Sequence, residues 1–436
     1  MTPNPSMPSS RRPFYGWWVS GAAATMFTIQ TAAWGATFGA YLLQMQDEFG
    51  WSKLAISTAF SVSQVVSGFI APAQGWMIDR FGSRFVMRIG VFMLGIGFVL
   101  LSLVNNLWLF YSIVLLLGLG MNLAGFITLN TAVANWFVRK RALALGLSST
   151  GIGIGGLLAP LVTWSLVANG WRPTAFWTGV AVILITLPLG QLLRQRPQDY
   201  GMLPDGAQPG LGGEAPPPLP EAVTTVDFTV AEAMRDRSFW LVSVGHGMAL
   251  VSVFAVMVHL VPLLVEGHGW SETSAQTMFA LISTSALIGQ IGGGLLGDRF
   301  NKTRLSAGCM VGHCAALIMM ATAGSGIIIA AAAMLHGVSW GVRGPLMMAI
   351  RADFYGMRNF GKIMGYSSAI IMVGPLIGPA LAGGLNDHFG GYTEAFTLVG
   401  TLTGISTVFF LLARKPPLPQ RAPTVPATPA APPRDE

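Results

Sequence analysis

Residues 89–138 run for fifty positions without one Asp, Glu, Lys or Arg. A helix of that composition has no face to offer water. About 20 apolar residues already cross a hydrocarbon layer of about 30 Å, so the run is too long for one crossing, and Asn105-Asn106 marks the turn between two. The whole chain has this character: 10% of its 436 residues are charged and 52% are hydrophobic, with a mean hydropathy of +0.59, where a typical soluble domain carries about 25% charged residues. The pattern predicts spans near 17–43, 54–78, 86–104, 108–134, 142–168, 172–193, 238–265, 272–297, 305–323, 327–350, 362–385 and 393–413. Inside lipid no water satisfies open backbone groups, so these segments must be helices and the protein all-α.

The +7 net charge is placed as a membrane protein places it. With the N-terminus assigned to the cytoplasm, 22 of the 25 Lys and Arg fall on that side, among them Arg11, Arg12, Arg80, Arg84, Arg88, Arg299, Lys302 and Arg304. Lys53 and Arg172 fall opposite, and Arg343 lies within a span. Short loops with this bias set orientation. The expectation is a multi-pass protein of a bacterial-type inner (plasma) membrane, with both termini cytoplasmic, an even number of spans, no cleavable signal pattern and no nucleic-acid partner. Cys309 and Cys314, five apart in the ninth span, read as free thiols.

The chain also repeats itself. One offset of 219 carries Gly50-Trp51-Ser52 onto Gly269-Trp270-Ser271, Gly75 onto Gly294, Asp79-Arg80-Phe81 onto Asp298-Arg299-Phe300, Arg139 onto Arg358, Gly146 onto Gly365, Ser148-Ser149 onto Ser367-Ser368 and Pro160 onto Pro379. Parallel repeats of this kind are a plan of two-lobed secondary transporters. The division is a six-helix bundle over 1–193, a cytoplasmic linker over 194–237, a second six-helix bundle over 238–413 and a disordered tail over 414–436. The linker is rich in Pro and Gly from Gly206 to Pro220, and Thr229 and Glu232 have capping-box spacing for a short helix before the seventh span.

Gly75-Trp-Met-Ile-Asp79-Arg80-Phe-Gly82-Ser-Arg84 resembles the GxxxDRxGxR loop signature of the major facilitator superfamily, with a degenerate second copy from Gly294 to Arg304 in which Asn301 replaces the glycine. The resemblance implies the twelve-helix, two-bundle major facilitator fold. It also implies a gate at the cytoplasmic face built from Asp79, Arg80, Arg84, Asp298 and Arg299, in which a carboxylate pairs with arginines and with a neighbouring helix terminus. Trp136-Phe-Val-Arg139-Lys140-Arg141-Ala-Leu-Ala-Leu-Gly146, together with Phe14-Tyr15-Gly16-Trp17-Trp18, looks like the monocarboxylate transporter branch. That likeness adds Arg139 and Lys140 to the gating set. It implies proton-linked transport of small monocarboxylates, or exchange as in the related oxalate:formate antiporters. Those families place an arginine in the eighth helix near the position of Gln290 here, so an anion would need another anchor.

By fold analogy the first, fourth, seventh and tenth spans line the cavity, and polar residues not shared between the repeats are the candidates for cargo binding. Arg343, whose counterpart at the offset is Ala124, lies eight residues before Arg351, about 12 Å along the helix. An intramembrane charge faces a cavity or a partner, and a guanidinium pairs a carboxylate bidentately; snorkelling to the surface is the competing role. His336 and Trp340 share its helix face, and a histidine there can link protons to cargo. His246, Gln30 and Asn122 complete the candidate set, with interhelical hydrogen bonding as the competing role for the amides. His259 reads as structural and His313 as outside the lining. None of the eighteen acids sits deep in a span. The function expected is secondary active transport of a small organic anion, coupled to protons, by a monomer without cofactor or metal. The alternatives are efflux of amphipathic compounds, which 13 Trp, 25 Phe and 22 Met would suit, and a transporter-like ligand sensor. No metal-spaced cluster, nucleophile elbow or phosphate loop points to an enzyme.

Overall fold

The computed structural model describes residues 14–35, 37–51, 53–206, 223 and 226–419. Arg11, Arg12, the Pro- and Gly-rich part of the linker (207–222) and the tail beyond 419 lie outside the described residues. Span 1 is Tyr15–Gln30, a π-helical turn Thr31–Gly35, and Phe38–Phe49; span 2 is Lys53–Phe81, span 3 Ser83–Leu101, span 4 Leu107–Leu123 with Phe126–Trp136, span 5 Arg141–Asn169 and span 6 Trp171–Leu189. The second bundle has span 7 at Arg237–Pro262, span 8 at Glu272–Arg299, span 9 at Lys302–Thr322, span 10 at Gly326–Tyr355, span 11 at Phe360–Ile371 with Val373–Phe389, and span 12 at Tyr392–Ile405 with Thr407–Leu412. Among the described residues ten segments, spans 3 to 12, are long and apolar enough to cross a membrane. Asn106 does start span 4, its side chain accepting from the Leu109 amide at 2.9 Å. The predicted capping box is present, Thr229 and Glu232 each bonding the other's backbone N–H. Both cysteines are free.

Spans 1, 4, 11 and 12 are broken where unbroken helices were expected. The break at Ala124–Gly125 in span 4 frees carbonyls that water cannot reach. Gln30 of span 1 donates to the Ala124 carbonyl at 2.9 Å and Gln74 of span 2 to the Asn122 carbonyl at 2.6 Å. Irregular backbone survives at membrane depth where neighbouring helices satisfy it in this way.

Glycines set the helix pairing. A Cβ on Gly155 would collide with the Thr28 carbonyl, and one on Gly374 with the Gly247 carbonyl, so span 5 lies backbone-to-backbone on span 1 and span 11 on span 7. The same offset of 219 relates the contacts between bundles. A Cβ on Gly146 would meet Gln290 O and one on Gly365 would meet Ala71 O, which brings span 5 against span 8 and span 11 against span 2. The two segments of the monocarboxylate-type likeness pack on each other, Phe14 on Trp136 and Phe137 and Trp17 on Phe137, with ring centroids 4.7–5.8 Å apart.

Candidate functional site

The face carrying the span 2–3 and span 8–9 loops, called the basic face below, is shut by two equivalent latches. Asp79, at the end of span 2, accepts from the backbone N–H groups of Gly361 and Lys362 at 2.8 and 2.9 Å, the first turn of span 11. Asp298, at the end of span 8, accepts from Ala142 and Leu143 at 2.9 and 3.0 Å, the first turn of span 5. All six residues obey the 219 offset. Each carboxylate crosses from one bundle to the positive end of a helix in the other. The arginines of the motif do something else. Arg84 donates to the Gly190 and Gln191 carbonyls, and Arg88 to the Gln191 side chain, holding the end of span 6 within its own bundle. Arg80 and Arg299 are exposed. At the motif's variable position, Gly82 takes φ +84°, whereas Asn301 takes φ −64° and caps span 9 through the Arg304 amide; this is why the second copy tolerates losing its glycine.

Of the three bases at the start of span 5, Arg139 and Lys140 are exposed, and their amides, with that of Val138, donate to Asp205 of the linker. Met357 and Arg358, the counterparts of Val138 and Arg139 at the offset, likewise donate to an acid of the linker, Asp227. Arg141 is the buried one. It pairs with Asp353 of span 10 at 2.5 Å across the bundle interface, and Lys302 approaches the other carboxylate oxygen at 2.9 Å. Asp353 is 1% exposed. Sequence reasoning passed over this cluster because Asp353 sits at a span end. The repeat contained the signal, since the counterparts of Arg141 and Asp353 are Phe360 and Ala134.

Arg343 is 1% exposed, and its Nε and Nη1 have no hydrogen-bond partner. No acid pairs with it among the described residues. Its electrostatic neighbours all belong to the second bundle: His246 of span 7, Cys309 and His313 of span 9, and His336 and Arg351 of span 10. The first-bundle counterparts of the three histidines are Phe27, Leu94 and Leu117, so this polar cluster interrupts an otherwise apolar pattern on one side only. Arg351 is held instead, by Ser367 at 2.9 Å and the Met347 carbonyl at 2.7 Å. His336 contacts His313, their Nδ1 atoms 3.1 Å apart. His313, which the lining argument set aside, is thus part of the cluster; a shared helix face cannot be read across two spans. His246 also joins it, with an unpartnered Nδ1. Trp340 is half-buried against the separate apolar core at the opposite face, and Gln30 and Asn122 are engaged at the span 4 break. Gln290 leaves its Oε1 buried without a partner beside span 5. His259 is structural, bonded to Tyr392 and the Pro379 carbonyl.

The family model described as Major Facilitator Superfamily matches residues 23–266 and 242–434. The chain belongs to the major facilitator superfamily. Monocarboxylate transporter 11 of Homo sapiens is 29% identical over 420 residues, 92% of this chain and 83% of that protein. Monocarboxylate transporter 13 of Bos taurus is 27% identical over 378 residues, covering 84% and 81%. The oxalate:formate antiporter of Oxalobacter formigenes is 29% identical over 202 residues, covering 46% and 44%. Among solved structures, the facilitator FucP in the outward conformation shares the fold with a TM-score of 0.67 at 15% identity, over 91% of this chain and 99% of that one. The human organic anion transporter MFSD10 does so with a TM-score of 0.69 at 14% identity, covering 93% and 100%. As a member of this superfamily the chain is a multi-pass membrane transporter and not an enzyme. Its bundles touch extensively between spans 2 and 11 and between spans 5 and 8, and both pairs of aspartate bonds are made, so the structure is closed at the basic face.

Proposed function

We propose that this facilitator carries a small organic anion, a monocarboxylate, across the membrane by alternating access and moves a proton with it. The observation that carries the reading is Arg343: a buried guanidinium with two unpaired nitrogens and, among the described residues, no acid to neutralise it. A buried charge left uncompensated is costly, and a carboxylate offers it two oxygens in the matching plane. In this reading Arg343 anchors the cargo in place of the arginine missing from span 8, with His336 and His246 beside it and Trp340 a turn away. The relatives named as monocarboxylate transporters and as an oxalate:formate antiporter support the same class. Asp79, Asp298 and the Arg141–Asp353–Lys302 cluster are the gate. The bundles over 1–193 and 238–413 rock against each other about the linker. The basic face is the cytoplasmic face of a plasma membrane, with both termini on it, and the monomer is the working unit.

The test is counterflow in proteoliposomes with labelled lactate, formate and oxalate, in the wild type and in Arg343→Gln. The reading expects exchange of at least one of these by the wild type and its loss in the variant. Normal exchange by Arg343→Gln removes Arg343 as the anchor, and saturable uptake of lipophilic cations in place of carboxylates assigns the chain to efflux.

A further inference from the structure

The second bundle buries two imidazoles against each other, from different helices. His313 of span 9 and His336 of span 10 are 0% and 1% exposed. Their Nδ1 atoms are 3.1 Å apart and their ring centroids 4.6 Å, at an interplanar angle of 68°. A hydrogen bond between two Nδ1 atoms requires one ring to donate and the other to accept. At least one ring is therefore neutral, and the donor ring still has its Nε2 available. That nitrogen can take one further proton without disturbing the bond, which becomes charge-assisted and stronger. His313 Nε2 is buried with no partner. Assigning the bridging proton to His313 leaves a bare lone pair at that atom instead of an unsatisfied N–H, and makes it the position where the added proton sits.

The surroundings tie this proton to the anion site. Arg343 lies seven residues beyond His336 on the same face of span 10 and is felt by both rings. On span 9, Cys309 lies one turn before His313 and also faces Arg343. From span 7, His246 faces Arg343 and Arg351. Spans 8 and 12 pack against spans 9 and 10 and bring no charged group to the pair among the described residues. The cluster thus holds fixed cations and no fixed anion. Burial opposes a positive charge on the pair and the unpaired Arg343 adds to that opposition; the Arg343 share is relieved when a carboxylate occupies Arg343. Reciprocity then requires that a proton on the pair tighten the anion site by the same factor.

We propose that the His313–His336 pair is the coupling proton site, which takes up one proton, at His313 Nε2, with each monoanion bound at Arg343. The proposal rests on the anion reading above and adds to it the group that carries the proton. The proton is taken from water on the side to which the bundles are open and returned to water on the other. Anion and proton leave together, so the transported unit is neutral.

The experiment compares the wild type with His313→Gln in proteoliposomes, using labelled lactate. With one proton per lactate and a gradient of about one pH unit, acid outside, the wild type accumulates lactate about tenfold at equilibrium. His313→Gln is expected to retain lactate counterflow, with a raised half-saturating lactate concentration because the protonated pair no longer tightens the anion site, and yet accumulate none, its inside-to-outside ratio settling at about one, the limit for a carrier without coupled protons. A second measurement needs no variant: lactate binding to the purified wild type, followed calorimetrically in buffers of different ionisation enthalpy, takes up one proton. Tenfold accumulation by His313→Gln overturns the proposal, as does its losing counterflow together with accumulation, which would make the pair part of binding or packing. Lactate binding to the wild type without proton uptake overturns it while sparing the anion reading. Failure of the wild type to exchange any carboxylate takes down both.

Discussion

Replacing Asp353 by Asn strips the shared acid from Arg141 and Lys302 at the bundle interface. Arg141 and Asp353 have side chains only 4% and 1% exposed, with Lys302 at 15%, so in the closed state two cations would be left in a nearly dry seam. Breaking a buried ion pair from one side costs about 3–5 kcal/mol. Arg141 keeps its bond from Nε to the Phe137 carbonyl at 2.9 Å and Lys302 keeps some solvent, so the lower end applies, about 3 kcal/mol, or a little over a hundredfold in an equilibrium constant. Parting the bundles hydrates these groups, so the cost falls on the closed state and shifts the population toward the form open at the basic face. A cysteine at Ala142 reads that shift. Ala142 is 0% exposed and lies against span 8, where a Cβ on Gly297 would stand 2.9 Å from its own. With Cys309 and Cys314 replaced by serine, alkylation of Ala142→Cys by a membrane-impermeant maleimide tracks the open population when opening is faster than labelling. Asp353→Asn should raise its rate about a hundredfold. Adding Arg141→Gln should return part of that increase, because one stranded cation is removed. Equal rates with and without Asp353 would refute the view that this cluster holds the face shut.

The same cysteine tests the latches: Asp79→Asn and Asp298→Asn should each raise labelling by about ten- to a hundredfold, since each removes charge-assisted bonds to two backbone donors, and unequal effects would contradict their equivalence by repeat. Gly75→Ala drives a methyl into the Gly361 carbonyl and should raise labelling or prevent folding, whereas Gly156→Ala, with nothing within 4 Å of its new Cβ, should leave labelling and melting temperature unchanged. On the opposite face, Glu48 pairs with Arg172 at 2.6 Å, and both side chains are well exposed. Arg172 Nη2 and Trp171 Nε1 both donate to the Glu48 carboxylate, at 2.6 Å each. Protonating the carboxylate removes its charge from the pair. Glu48→Gln should lower the melting temperature slightly at neutral pH, by the equivalent of less than about 1 kcal/mol, with the gap closing in acid; a gap that persists there would refute the assignment.

Much of this architecture is legible in the chain because it is coded locally or by repetition. Charge-free runs of spanning length give the helices, and Asn106 and the Thr229–Glu232 box mark starts that the backbone obeys. The loop motif and its repeated copy drew attention to Asp79 and Asp298, which bridge the two bundles in the structure. Of the two partners expected for them, arginines and a neighbouring helix terminus, only the helix termini bind the aspartates, and Arg84 and Arg88 hold span 6 instead. Arg139 and Lys140 drew notice as a conspicuous basic pair, although the base that reaches the interface is Arg141, whose rotation about span 5 turns it inward. His313 was set aside because the lining argument treats span 9 as peripheral.

Charge-free runs of spanning length, loop charge and a 219-residue duplication are properties of sequence order alone, and they determined the number of crossings, the basic face and the pseudo-symmetry. The helix breaks sealed by Gln30 and Gln74, the crossing of Arg141 to Asp353, the isolation of Arg343 and the meeting of His313 with His336 were decided only by tertiary structure. Each depends on how a helix is rotated about its axis and which neighbour it meets. In a chain whose spans are apolar on nearly every side, periodicity carries little of that information, and the choice falls to close glycine packing and to the few polar groups that must find partners away from water.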